Sequence, residues 1–303
     1  MKYPPSIEIT EVGPRDGLQN QAAVISTETK VAFVEALSKT GLSRIEVSSF
    51  VNPTWVPQLA DASEVFEKME RVQDVRYTAI VPNEQGWIRA VEAGIDEIAL
   101  ITAASESFCV RNINTSIEGS IDRMKPVVEA AKAAGVRIRG YVSCVVACPY
   151  EGEIDPEQVR NIVKQLISVG VEDISLGETI GVAVPNDISR LYDALDGVLA
   201  PNNSILHLHD TRGTALACAS EAMQLGVCRF DTSTGGIGGC PYAPGAAGNL
   251  ATEDLLYFAK RMGIHTGVDL DLLLCALRVV EDSLDSPPTS RVYRASSCQE
   301  PRS

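Results

Sequence analysis

Histidine, aromatic residues and runs of positive charge are all scarce in this chain. Only three histidines occur among 303 residues, so a pair of imidazoles close together would stand out. Aromatic residues make up 5% against 45% hydrophobic residues in all. The core must therefore be built from Ala, Val, Ile and Leu, a mix that suits parallel strands buried on both faces. No block of Lys and Arg offsets the formal net charge of −14, which argues against nucleic acid as a partner. An anionic substrate would have to be held by a few placed cations. No stretch approaches the ~20 apolar residues of a membrane helix. The opening MKYPPSIEIT has no apolar run behind its charge, so neither membrane nor secretion is expected. The eight cysteines match neither a zinc ribbon nor a short disulfide framework. A reduced, soluble, cytoplasmic protein is the expectation.

What is present is alternation. Short β-branched runs at 7–10, 44–48, 77–81, 97–101, 137–144, 173–176, 204–208 and 229–233 take turns with longer amphipathic stretches. Helices are predicted over 27–39, 56–69, 84–93, 117–134, 156–169, 185–198, 213–225 and 252–262. Ser26 reads as an N-cap, and Gly41, Gly94 and Gly135 as stops. About eight such units in roughly 250 residues fit a closed (β/α)8 TIM barrel. An open doubly wound sheet is the rival, but no linker or shift of composition divides the chain. Residues 1–285 read as one barrel domain with an added C-terminal helix over 270–280, and 286–303 as a frayed polar tail.

In such barrels chemistry collects at the C-terminal ends of the strands, and the unusual polar residues fall there. His207 and His209 lie two apart on the seventh strand, so their imidazoles point to one side. They are either a pair of metal ligands or two hydrogen-bonded structural histidines. Asp16 follows the first strand in GPRDG and could share a cation with them, or could cap its own turn. Arg15 could grip a substrate oxygen in fork geometry, or pair with Glu46. Glu46 interrupts an apolar strand, which is costly unless it is paired, so a supporting role is expected. Glu178 ends the sixth strand and is expected to face the pocket. Cys240 sits in the glycine-rich GGIGGC segment after the eighth strand, where a thiol could reach the pocket and carry a proton. Asn249, just before the last barrel helix, reads by itself as a turn or N-cap residue.

Taken together, VGPRDGLQN (12–20), IEVSSFV (45–51), NIN (112–114), RGYVSC (139–144), CPYEG (148–152), ISLGETIGV (174–182), HLHDT (207–211) and GGCPYAPGAAGNLATEDL (238–255) resemble the 3-hydroxy-3-methylglutaryl-CoA lyase family. The last stretch is the most specific, because it matches that family's catalytic-cysteine loop. The resemblance implies metal-dependent cleavage of 3-hydroxy-3-methylglutaryl-CoA to acetoacetate and acetyl-CoA, in leucine or terpenoid-acid breakdown. It implies Asp16, His207, His209 and Asn249 as ligands of Mg2+ or Mn2+. Arg15 would polarise a substrate carbonyl, Glu46 would hold the arrangement in place, and Cys240 would move a proton. Asn112 and Arg212 are expected to touch the acyl-CoA thioester, and a homodimer is expected.

The chain departs from the family pattern at three places. Glu178 stands where aspartate is usual, Arg212 where an aromatic residue is usual, and Gln21-Ala22 where Glu-Lys is usual. The alternatives are therefore a lyase for a related 3-hydroxy-3-substituted acyl-CoA or an acyl-CoA-condensing synthase. A silent scaffold is a third reading, opposed by the intact set of polar residues.

Overall fold

A computed structural model describes residues 3–238 and 248–297. Eight parallel strands close into a barrel: β1 (Glu8–Glu11), β2 (Arg44–Ser49), β3 (Arg76–Ile80), β4 (Glu97–Ala103), β5 (Arg137–Ser143), β8 (Asp173–Glu178), β9 (Ser204–Leu208) and β10 (Arg229–Thr232). The missing numbers are a small antiparallel pair after β5, β6 (Ala147–Cys148) and β7 (Gly152–Glu153). Outside the ring lie α1 (Thr27–Ser38), α2 (Ala62–Lys68), α3 (Glu84–Glu92), α4 (Glu106–Ile113), α5 (Ile117–Ala134), α6 (Pro156–Val169), α7 (Pro185–Leu195), α8 (Ala215–Leu225) and α9 (Thr252–Met262). Two more follow, α10 (Leu270–Glu281) and α11 (Arg291–Ser297). The (β/α)8 barrel with an added helix is as expected.

Local chemistry explains most boundaries. Ser26, Asn83, Ser105, Ser116 and Asp155 each accept a backbone N–H from the first turn of the helix that follows. The expected helix over 56–69 is broken. Pro57–Leu59 forms one tight turn, and α2 starts only at Ala62; the buried Gln58 side chain ties the turn to Ile25 N–H at 3.0 Å and the Ala23 carbonyl at 2.8 Å. Helix α8 begins after Gly213, whose φ of +73° is left-handed and cannot join a helix. Residues 286–297, expected as a frayed tail, instead fold back. Asp254 at the start of α9 accepts the Ser290 hydroxyl at 2.9 Å and the Val292 N–H at 2.8 Å, and Tyr293 is buried.

The lumen of the barrel is polar. Arg44 on β2 pairs with Glu97 on β4 at 3.4 Å and with Asp173 on β8 at 3.2 Å, and Arg229 on β10 pairs with Asp173 at 2.6 Å. Arg139 on β5 pairs with Asp231 on β10. The members of each pair come from strands that are not neighbours, so the side chains meet across the ring. The large apolar core lies between the outer face of the strands, with Ile45, Leu176, Leu206 and Phe230, and the helices over it, with Phe33 of α1.

Candidate active site

The chain after β1 makes one wide π-helical turn, Gly13–Gly17, with Asp16 N–H donating to the Val12 carbonyl at 2.7 Å. Such turns are frequent at functional sites. A side chain on Gly17 would come within 2.6 Å of Ile237, so this glycine lets the turn sit against the segment after β10. The turn carries Arg15 and Asp16 over the barrel mouth. Asp16 does not cap its own turn. It pairs with Arg15, and one of its oxygens accepts the Asn249 amide at 2.8 Å.

On β9 the period of two holds. Leu206 and Leu208 join the core, while His207 and His209 turn the other way with ring centroids 5.1 Å apart. The segment carrying Asn249 bridges to His209. Asp16, His207 and His209 each offer one ligand atom, and these three atoms lie within 4.8 Å of one another. His209 Nδ1 lies 2.7 Å from the Glu178 carbonyl, which makes Nδ1 the protonated nitrogen and leaves Nε2 free to bind. Burial, joined by repulsion from His207, pushes His209 down to about 4 and keeps it a neutral imidazole. Burial would raise Asp16, but Arg15 and the two histidines outweigh it and hold its carboxyl at about 2.

Arg15 is itself oriented from behind. It donates to Glu46, whose second oxygen accepts the Tyr141 hydroxyl at 2.9 Å. Glu46 is fully buried. Burial disfavours the charged guanidinium, but Glu46 and Asp16 overcome this and raise the pKa of Arg15.

A cavity of about 1100 Å³ opens from these residues. Its floor holds Arg15, Asp16, His207 and His209, its walls include Tyr141, Ile80 and Ile101, and its rim reaches Trp55, Arg111, Asn112 and Arg123. Asn112 is therefore at the cavity, as expected. Two residues expected there are not. Glu178 shares a side of its strand with Ile174 and Leu176, whereas Gly177 lines the cavity. The Glu178 carboxylate accepts Val182 N–H at 3.1 Å. Burial raises its pKa, with the N–H groups of the 180–183 loop pulling it back. Arg212 is exposed and donates to the Ile180 and Gly181 carbonyls at 3.1 and 3.2 Å. Both residues brace the loop after β8. Cys240 lies outside the described residues.

Three neighbours of the site were missed in the sequence: Tyr141, Arg139 and Asp231. The signal was present. Arg139 and Tyr141 share strand parity, and Asp231 is a carboxylate within a predicted strand, as Glu46 is.

The residues at the mouth fit a divalent cation. Carboxylate and amide oxygens suit Mg2+ or Mn2+, and imidazole nitrogens suit first-row metals. Asn249 Oδ1 is buried and has no hydrogen-bond partner among the described residues. Buried polar atoms rarely stay unpaired, so this oxygen beside Asp16 is placed to complete a ligand set.

The comparisons agree with this geometry. The HMGL-like family model matches residues 6–280. The mitochondrial hydroxymethylglutaryl-CoA lyase of Bos taurus is 46% identical, over 97% of this chain and 90% of the relative. The cytoplasmic 3-hydroxy-3-methylglutaryl-CoA lyase of Rattus norvegicus is 46% identical, over 97% of this chain and 85% of its own. The crystal structure of hydroxymethylglutaryl-CoA lyase from Pseudomonas aeruginosa superposes with a TM-score of 0.96 at 44% identity, covering 99% of this chain and 100% of that one. An Acinetobacter baumannii HMG-CoA lyase solved with coenzyme A and 3-methylmalate has a TM-score of 0.92 at 35% identity, covering 97% and 96% of the two chains. With its barrel, its Arg-Asp turn and its paired histidines, this chain belongs to the HMGL-like family.

Proposed function

We propose that this chain is a divalent-metal-dependent carbon–carbon lyase that cleaves 3-hydroxy-3-methylglutaryl-CoA to acetoacetate and acetyl-CoA. The observation that carries the reading is the convergence of Asp16, His207 and His209 beside a buried, doubly paired Arg15. Asp16, His207, His209 and Asn249 would hold Mg2+ or Mn2+. Such an ion, when bound, acidifies the tertiary hydroxyl of the substrate and offsets charge on its oxygens.

Asp16 or His207, both on the cavity floor, takes the hydroxyl proton. The carbon–carbon bond between the tertiary carbon and the carbon next to the thioester then breaks. Its electron pair passes to the acetyl-CoA enolate, and the alcohol carbon becomes the ketone of acetoacetate. Arg15 faces the developing enolate oxygen, and its rigid hold by Glu46 means that little reorganisation is needed as charge builds. Cys240 protonates the enolate carbon, an assignment that rests on the likeness of its loop to that of the family. Asn112 on the cavity rim contacts the acyl-CoA arm. The bound coenzyme A of the Acinetobacter baumannii relative supports an acyl-CoA substrate.

A second reading keeps the chemistry and changes the acyl group. Asp285 accepts the N–H groups of Ala22 and Ala23. The rim where the family usually has lysine therefore carries an anion, and this favours a related 3-hydroxy-3-substituted acyl-CoA with an uncharged arm. Homodimerisation, a cytoplasmic location and a place in leucine breakdown belong to the proposal. Six described cysteines are free thiols, in keeping with a reducing compartment.

The test is a screen of 3-hydroxy-3-methyl acyl-CoA compounds with Mg2+, Mn2+ or chelator, following release of acetyl-CoA and the keto acid. Metal-dependent release from hydroxymethylglutaryl-CoA is expected. Binding of metal without cleavage of any substrate in the screen would overturn the reading.

A further inference from the structure

The two histidines of the floor are not held alike. His209 gives its Nδ1 proton to a neutral backbone carbonyl at 2.7 Å. His207 has no such carbonyl. Its Nδ1 is buried with no hydrogen bond of good geometry among the described residues, and it faces Asp231 Oδ2 at 3.4 Å. Asp231 and His207 are register partners on the neighbouring strands β10 and β9, so the approach is set by the sheet itself. The other carboxylate oxygen, Asp231 Oδ1, is also buried and has no hydrogen-bond partner among the described residues. An orphaned ring nitrogen therefore lies against a carboxylate with spare acceptor capacity, and both are deep in the barrel mouth.

We propose that Asp231 is a positioning residue for His207: it accepts a hydrogen bond from Nδ1–H, fixes the tautomer, and thereby turns Nε2 toward Asp16, which lies 3.9 Å away. The proposal deepens the metal-dependent reading given above and rests on it for its consequence, though not for the tautomer itself. Arg139 and Ser175 make the device work. Arg139 pairs with Asp231, and the Ser175 hydroxyl donates to the same oxygen at 2.9 Å. Burial would favour a protonated Asp231, but Arg139 reverses this and holds the carboxyl well below the usual range. Asp231 thus stays an acceptor. A carboxylate behind one ring and a carbonyl behind the other makes the pair unequal, and it is His207 that gains the greater electron density at Nε2.

The experiment reads the imidazole tautomers directly, by long-range nitrogen-15 NMR on the metal-free protein, and Mn2+ affinity by calorimetry. In the wild type both His207 and His209 are expected as the Nδ1–H form. In Asp231→Asn, His207 is expected to become a mixture of tautomers and Mn2+ to bind about 10- to 100-fold more weakly, with His209 unchanged. Since that substitution leaves Arg139 buried without its partner, the double variant Asp231→Asn with Arg139→Met removes both charges and is expected to show the same shift at His207. A wild-type His207 in the Nε2–H form overturns the proposal without any variant. So does a folded variant that keeps a single Nδ1–H tautomer and wild-type Mn2+ affinity. If the wild type takes up no Mn2+ at all, the metal reading falls while the tautomers still decide the role of Asp231.

Discussion

The Asn249 amide donates to Asp16 Oδ2 at 2.8 Å, so a residue near the end of the barrel fixes a carboxylate near its start. The same amide nitrogen also donates to the Ile237 carbonyl at 3.1 Å. The side chain is pinned through its nitrogen, and its buried oxygen has no hydrogen-bond partner among the described residues. A residue that reads by itself as a helix cap therefore holds a carboxylate of the cavity floor from behind.

Asn249→Ala is expected to loosen Asp16 and remove one oxygen from the proposed ligand set. Mn2+ affinity should fall about tenfold or more, while circular dichroism stays that of the wild type. Calorimetric titration checks this. Unchanged affinity would take Asn249 out of the ligand set.

Glu178→Asp restores the residue usual in the family, yet its side chain braces the 180–183 loop and not the cavity. The expected result is a small loss of stability, about 1 kcal/mol for a weakened buried hydrogen bond, with substrate preference unchanged. Thermal melts beside relative kcat/KM values for two acyl-CoA substrates would show it. A marked change of preference with no change in the melt would contradict the placement.

Arg111 and Arg123 line the cavity and have no carboxylate partner among the described residues. In a chain with net charge −14, these are the cations available to the phosphates of an acyl-CoA. Arg111→Ala should raise KM for the acyl-CoA about tenfold, the worth of one charge-assisted hydrogen bond. The matching acyl-pantetheine, which lacks those phosphates, should be cleaved as before. Equal losses on both substrates would place Arg111 elsewhere in recognition.

Glu253 at the start of α9 is buried and accepts the Gly235 N–H at 2.9 Å. Burial raises its carboxyl from 4.5 to about 8, only partly opposed by the backbone N–H groups of Glu253 and Gly235. Between those two values the folded chain keeps a proton that the unfolded chain has released. The stability owed to this group is therefore full below about pH 4.5 and lost as pH rises toward about 8. Glu253→Gln should flatten that slope and melt higher than the wild type at pH 8. Parallel slopes in both proteins across this range would refute the assignment.

Much of this was legible in the sequence, for physical reasons. Strand and helix periods differ, so the eight βα units could be counted, and His207 and His209 fell on one side of a strand by parity alone. The same parity, applied to Glu178, would have turned it away from the cavity together with Leu176. The position of Glu178 at a strand end outweighed that rule in the reading of the sequence. Asp231 and Arg139 were hidden for another cause. Each stands out as a charge on a strand, but its partner lies on a distant strand across the lumen, and local spacing does not name that partner. Helix α4 was missed because its eight residues are too short a run to establish a helical period, although Ser105 caps it and Asn114, left-handed at φ +52°, ends it.

The charged lumen has a thermal consequence. Packing between strands and helices draws on the hydrophobic effect, whose gain levels off with heating, whereas the cost of dehydrating ions shrinks as temperature rises. Arg44, Glu97, Asp173 and Arg229 thus form an inner column that tightens relative to its surroundings when the protein is warmed. Melting should begin in the outer layer of helices, with the N-terminal strand ends that carry these charges, at the opposite end of the barrel from the histidines, among the last parts to let go.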